Sequence, residues 1–259
     1  MQSLREAASW LCDMDGVLIN EGQMVPGANE FLGRLRDTGR TFLVLTNNAL
    51  FTPEELRDNL AGLGVGVRED QLWTSALATA QFVHDQRPKG RAYVIGEASV
   101  HQALANVGYV EDTTAPDYVV LGETWDYSFE DLTTAIRLID RGCPLVVTNP
   151  ETYGTTKDGP MPGSGALAAL IQSATGVKPY FVGKPNPVMI RDALNILGAH
   201  SQSTVMVGDR MDTDIVAGVE AGVETVLVLS GFTQRADISR YAYQPSRVVD
   251  SIADLLDEL

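Results

Sequence analysis

Short apolar, β-branched runs alternate with stretches of helical spacing along most of the chain. Residues 10–12, 41–46 and 71–74 read as buried strands. Between the first two, residues 28–37 space Phe31, Leu32 and Leu35 for one helix face, and Gly39 can end that helix. Another helix is expected to begin with Thr52 as N-cap, Pro53 at its first position and Glu55 completing a capping box. Further along, residues 92–96, 117–122 and 144–148 are again strand-like. Ser128 is expected to cap a helix whose face carries Phe129, Leu132, Ile136 and Ile139, ended by Gly142. Runs at 180–184, 203–208 and 225–230 return as strands, with helices starting near Asn186-Pro187 and Asp212 and ending at Gly198 and Gly222. This alternation predicts an α/β fold: βαβ units and a Rossmann-like parallel sheet with helices on both faces.

Length changes the picture. With 259 residues, one large or two medium domains are expected, and 44% apolar residues suffice for a sizeable core. No low-complexity linker marks an edge between them. The formal net charge of −15 leaves no basic patch for phosphate backbones or anionic lipid, so nucleic acid and membrane are excluded as partners. Cys12 and Cys143, the two cysteines, read as reduced thiols. The N-terminal run is too short and too charged for a leader or a membrane span, which points to the cytoplasm.

Four polar groups follow predicted strands, at the edge where open parallel sheets bind ligands. They are Asp13-Met14-Asp15-Gly16, Thr46-Asn47-Asn48, Gly183-Lys184-Pro185, and the run from Gly208 to Asp214. Each has an ordinary reading when taken alone: turn formers, a surface lysine, acids at a helix start. Together their chemistries are complementary. Asp13, Asp15, Asp209 and Asp214 cannot share a pocket as carboxylates without a cation, and oxygen ligands without His or Cys select a hard ion such as Mg²⁺. Thr46 and Asn47 offer neutral donors to phosphate oxygens, and Lys184 offers a positive charge to carboxylate and phosphate alike. Such a set suits phosphoryl transfer.

The order D-x-D-G, T-N-N, G-K-P and G-D-x-x-x-T-D-I resembles the haloacid dehalogenase superfamily of phosphohydrolases. The chain is similar to the NagD-like subgroup, which carries a large α/β cap (class IIA), and the likeness extends to "TNPETYG" (148–154) and "PGSGALAALI" (162–171). The resemblance implies a discontinuous catalytic core over 1–75 and 181–259, with an inserted α/β cap over 76–180 for substrate specificity. It implies Asp13 as nucleophile, forming an aspartyl phosphate, and Asp15 as general acid and then base. Thr46 and Asn47, with Asn48 nearby, would hold the phosphoryl group, and Lys184 would bridge it to Asp13. Mg²⁺ would be bound by Asp13, the Asp15 carbonyl and Asp209, with Asp214 as ligand or support. Glu151, where relatives commonly have Asp, and Tyr153 are the cap's candidates for substrate contact.

The implied function is a Mg²⁺-dependent phosphomonoesterase acting on a small phosphorylated metabolite, a nucleoside monophosphate or a sugar phosphate. A homodimer through the cap is implied by the resemblance alone. A phosphotransferase of the same chemistry and a non-catalytic metabolite binder on the same fold are the rivals. A binder, however, has no need of both Asp13 and Asp15.

Overall fold

A computed structural model of the chain describes residues 4–156 and 159–259. The chain forms two compact units. The first comprises residues 1–46, 54–73 and 184–259, and the second 47–53 and 74–183. The segment 47–53 thus groups with the second unit, although the chain returns to the first immediately after it.

The first unit is built on a six-stranded sheet. Its order is Arg247–Val249, Glu224–Val228, Thr204–Gly208, Ser9–Asp13, Thr41–Thr46, Leu72–Thr74. Ser9–Asp13 pairs in parallel with both neighbours, Cys12 lying opposite Val44 on one side and Val207 on the other. All five of its residues are buried. A strand covered on both faces shows a continuous apolar run rather than alternation, as "WLC" does. Trp10 meets the Phe31 ring edge-on at 5.3 Å, which packs the helix Ala28–Asp37 onto the sheet. The parallel register brings the carboxyl ends of three strands level, so the residues at and just after those ends share one edge.

The second unit has its own parallel sheet, ordered Tyr180–Phe181, Leu145–Val147, Tyr118–Leu121, Arg91–Ile95, Val110–Glu111. Val119, Leu121, Leu145 and Val147 pack against Leu132, Ala135 and Ile139 of the helix Phe129–Asp140 and against Leu167, Ala168 and Ile171. A short antiparallel ladder, Tyr153–Thr156 with Gly159–Pro162, precedes the helix Ser164–Thr175.

Two expectations change, and one strand had not been expected. The run 180–184 does not join the first sheet: only Tyr180–Phe181 is a strand, and it pairs with Val146 and Val147. Phe129 does not lie on the buried helix face but is 87% exposed. As the first helical residue it stands at the end of the apolar stripe, and Ala135 and Leu138 fill the interior instead. Arg247–Val249, which is only three residues long, escapes the periodicity. Among the described residues no helix is long and apolar enough to cross a membrane.

Candidate active site

Asp13 is the last residue of its strand, and Asp209 follows the last residue of the neighbouring one. Asp214 comes from the π-helical turn Met211–Ile215, which opens the helix Val216–Ala221. Lys184 enters just ahead of the helix Pro187–Leu197, whose start is fixed by Asn186 accepting the Val188 N–H. All four side chains are buried.

Lys184 Nζ lies 2.6 Å from Asp13 Oδ1 and 2.7 Å from Asp214 Oδ1, and it also donates to the Leu45 carbonyl at 3.2 Å. Asp13 Oδ1 additionally accepts the Met14 N–H at 2.8 Å. Asp214 accepts the Arg210 N–H at 3.1 Å. Asp209 Oδ2 accepts the Phe232 N–H at 2.6 Å, while no hydrogen-bond donor among the described residues reaches its buried Oδ1.

Three carboxylates and one ammonium leave a formal charge of −2 in a buried cluster. A lone ion pair would lower the acid's pKa and raise the base's. Here both rise. Burial pushes the Asp13 carboxyl well above its usual range and Asp214 adds to this, with Lys184 pulling the other way. Asp209 is pushed up to about 7 by burial and then by Asp214. Burial alone would lower the Lys184 ammonium, but Asp13 and Asp214 outweigh it and raise it. The excess of negative charge calls for a divalent cation or for protons.

The donors fit a metal ion. Asp13, Asp209 and Asp214 each offer one carboxylate oxygen, all within 4.8 Å of one another. An oxygen-only set suits a hard divalent ion.

The other predicted residues are placed as follows. Asp15 is exposed, and the turn behind it closes through Gly16 N–H donating to Ile19 O at 2.7 Å. Gly16 has φ +76°, and a Cβ there would lie 2.3 Å from Asp209 Oδ2, so close approach to that carboxylate requires glycine. Thr46 is buried at the end of its strand. In the second unit, Asn47 donates to Glu151 Oε1 at 3.1 Å, and its carbonyl accepts from Ser75 Oγ at 2.6 Å and Asn149 Nδ2 at 2.8 Å. Asn48 Oδ1 receives the Leu50 and Phe51 N–H groups, a turn-closing arrangement. Tyr153 is 54% exposed on the short ladder. The Gly163-Ser164-Gly165 turn is a packing device: Cβ atoms on its glycines would meet the Glu151 and Pro150 carbonyls at 2.4 and 2.2 Å.

Asn149 and Ser164 lie within the stretches 148–154 and 162–171 singled out in the sequence; both are fully buried, and they bond to each other and fix the loop bearing Glu151. One group of residues escaped the sequence reading. Loop 230–233 bonds to Asp209, and its only signal was its place directly after a strand-like run.

Comparison with known proteins follows the same motifs. Residues 10–110 match the family described as haloacid dehalogenase-like hydrolase, and residues 181–255 match a second, HAD-hydrolase-like family. A dihydroxyacetone phosphatase of Corynebacterium glutamicum is 52% identical over 96% of this chain and 90% of its own length. The chain belongs to the haloacid dehalogenase-like hydrolases. Within that family it is of the NagD-like kind. The ribonucleotide monophosphatase NagD of Escherichia coli is 42% identical over 95% of this chain and 96% of its own. The solved structure of that organism's NagD superposes with a TM-score of 0.91 at 40% identity, covering 96% of this chain and 98% of the other. The acidic cluster therefore lies in a hydrolase of a family whose matched members are named as phosphatases.

Proposed function

We propose that this hydrolase is a Mg²⁺-dependent phosphomonoesterase working through an aspartyl phosphate on Asp13. The observation that carries the reading is the buried cluster of Asp13, Asp209 and Asp214 around Lys184, with its formal charge of −2. Asp13, Asp209 and the Asp15 carbonyl would hold the ion, with Asp214 as ligand or support. Bound there, Mg²⁺ supplies Lewis-acid stabilisation of charge on the phosphoryl oxygens.

In the first step the Asp13 carboxylate attacks phosphorus and the bond to the leaving oxygen breaks. Asp15, whose exposed side chain supports a role as proton carrier, gives that oxygen its proton. In the second step Asp15 takes a proton from water, the hydroxide attacks phosphorus, and the Asp13 carboxylate is released. Lys184 neutralises the nucleophile's charge as the anionic phosphoryl group approaches. Thr46 and Asn47, aided by Asn48, are proposed to hold the phosphoryl group.

The catalytic part is proposed to be residues 1–75 and 181–259, and the specificity part 76–180, with Glu151 and Tyr153 as its substrate-binding residues. The substrate is a small phosphorylated metabolite. The 52% relative supports a sugar phosphate of the triose type as the first candidate, and the 42% relative supports a nucleoside monophosphate as the second. The cytoplasm is the proposed location, supported by two free cysteines. A homodimer through the inserted unit belongs to the same reading, and a monomer by light scattering would remove it.

The deciding experiment is phosphate release from p-nitrophenyl phosphate, dihydroxyacetone phosphate and nucleoside monophosphates, with Mg²⁺ and with EDTA. Release is expected to need Mg²⁺, and Asp13→Asn is expected to lower kcat about 10³-fold or more. Equal release by wild type and Asp13→Asn would sink the mechanism.

A further inference from the structure

Asp209 is held from outside its own motif. Its Oδ2 accepts the Phe232 N–H at 2.6 Å, and its backbone carbonyl accepts the Thr233 N–H at 3.2 Å. Thr233 is 4% exposed, and its hydroxyl oxygen accepts the Met211 N–H at 3.2 Å, which ties the loop to the turn carrying Asp214. On the other side, Ser230 Oγ donates to the Gly16 carbonyl at 2.7 Å, and the Ser230 carbonyl accepts from Asn20 Nδ2 at 2.8 Å. The four residues 230–233 therefore touch both segments that carry the metal-site oxygens, one beginning at Asp13 and the other at Asp209.

The contact is sterically close as well. A Cβ on Gly231 would stand 2.1 Å from Asp209 Oδ2, on the same oxygen that a Cβ on Gly16 would approach to 2.3 Å. Asp209 Oδ2 is thus enclosed by two glycines and one N–H donor. With Oδ2 committed in this way, Oδ1 is the oxygen left for the cluster, buried and without a donor among the described residues. Outside its own segment, the Arg210 guanidinium sits 4.4 Å from the centroid of the exposed Phe232 ring, which fixes the loop by its side chain too.

We propose that loop 230–233 is a positioning clamp for the metal site, in which Ser230 sets the Gly16 turn against Asp209 and the Phe232 N–H, by engaging Oδ2, leaves the Asp209 Oδ1 for the ion. The proposal rests on the reading of the cluster as a Mg²⁺ site and goes beyond it by assigning metal affinity to residues that are not ligands. Supports of this kind change metal affinity by about 10- to 100-fold when removed. Ser230 and Gly231 carry the test, because the Phe232 contribution comes from the backbone.

The experiment is calorimetric titration of Mg²⁺ into the EDTA-treated full chain, for wild type, Ser230→Ala, Ser230→Thr and Gly231→Ala. Ser230→Ala is expected to raise the Mg²⁺ Kd about 10-fold or more. Ser230→Thr, which keeps the hydroxyl, is expected to restore it. At saturating Mg²⁺ the KM for p-nitrophenyl phosphate should stay at its wild-type value, and the metal-free melting temperature should be close to wild type. Gly231→Ala is expected to weaken Mg²⁺ at least as much; if it does not fold, the Ser230 pair decides. An unchanged Mg²⁺ Kd in Ser230→Ala, or a loss that Ser230→Thr does not restore, overturns the clamp while leaving the phosphohydrolase reading intact. Wild-type protein that bound no Mg²⁺ would overturn both.

Discussion

Asp13, Asp209 and Asp214 place three formal negative charges within 4.8 Å of one another, and Lys184 returns one positive charge. Removing the ammonium leaves Asp13 and Asp214 buried beside each other with no counter-charge, and breaking a buried pair in this way costs about 3–5 kcal/mol. Lys184→Met is therefore expected to destabilise the EDTA-treated protein by about that amount near pH 8. The loss should shrink near pH 5, where the Asp13 carboxyl, held well above its usual range by burial, takes up a proton instead. Urea denaturation at the two pH values measures it, and an equal loss at both would show that charge is not the cause. At this scale much of the cluster was legible, because Asp13, Lys184, Asp209 and Asp214 are side chains in spaced motifs after apolar runs. The donor to Asp209 was not, because it is the backbone N–H of Phe232. A main-chain donor has no residue type to give it away.

Elements were read well where capping and spacing agreed. The helix Ala28–Asp37 begins and ends where the placement of Phe31, Leu32 and Leu35 requires. The helix Phe129–Asp140 begins at its expected cap: Ser128 Oγ accepts the Asp131 N–H at 3.0 Å, and Asp131 Oδ2 accepts the Ser128 N–H in return. Ser128→Ala removes one half of that exchange and is expected to cost the inserted unit about 1 kcal/mol. A thermal melt should show a shift of a few degrees, and Ser128→Thr, which keeps the hydroxyl that accepts the Asp131 N–H and donates to Asp131 Oδ2 at 2.7 Å, should recover most of it. The reading failed at Tyr180–Phe181. Its apolar pattern is the same in either sheet, and only the pairing with Val146 and Val147 decides which one it joins. The turn Met211–Ile215 was expected both to open a helix near Asp212 and to carry Asp214 to the acidic cluster. It sends Asp214 inward to Lys184, while Asp212 stays outside and pairs with Arg210 at 2.9 Å.

For the whole molecule, the alternation of strands and helices made parallel sheets legible, but not where one unit ends and the other begins. Nothing in the composition changes at residues 47 or 184, and the two units share an acidic character within the net charge of −15. Their carboxylates nonetheless respond to pH in opposite directions. In the first unit, burial holds the Asp209 carboxyl up to about 7 and that of Asp13 also well above its ordinary value. A folded state that keeps protons which the unfolded chain releases loses stability as pH rises, and for Asp209 the window runs from about 4 to about 7. In the second unit, the Thr114 and Ala115 N–H groups, and then Arg91, hold Asp112 down to about 2, while the Ser128 hydroxyl and N–H lower Asp131. Asp112 adds stability above pH 4 that is lost as pH falls toward 2, and Asp131 acts in the same direction. Calorimetry of the EDTA-treated protein is therefore expected to show its highest melting temperature near pH 4–5, with a decline on both sides. Adding Mg²⁺ should remove the decline toward pH 7, because an ion bound to the ionised carboxylates replaces the protons, and should leave the acid side unchanged. A metal-free protein whose melting temperature rose steadily from pH 4 to pH 8 would contradict the buried-carboxylate account of the cluster.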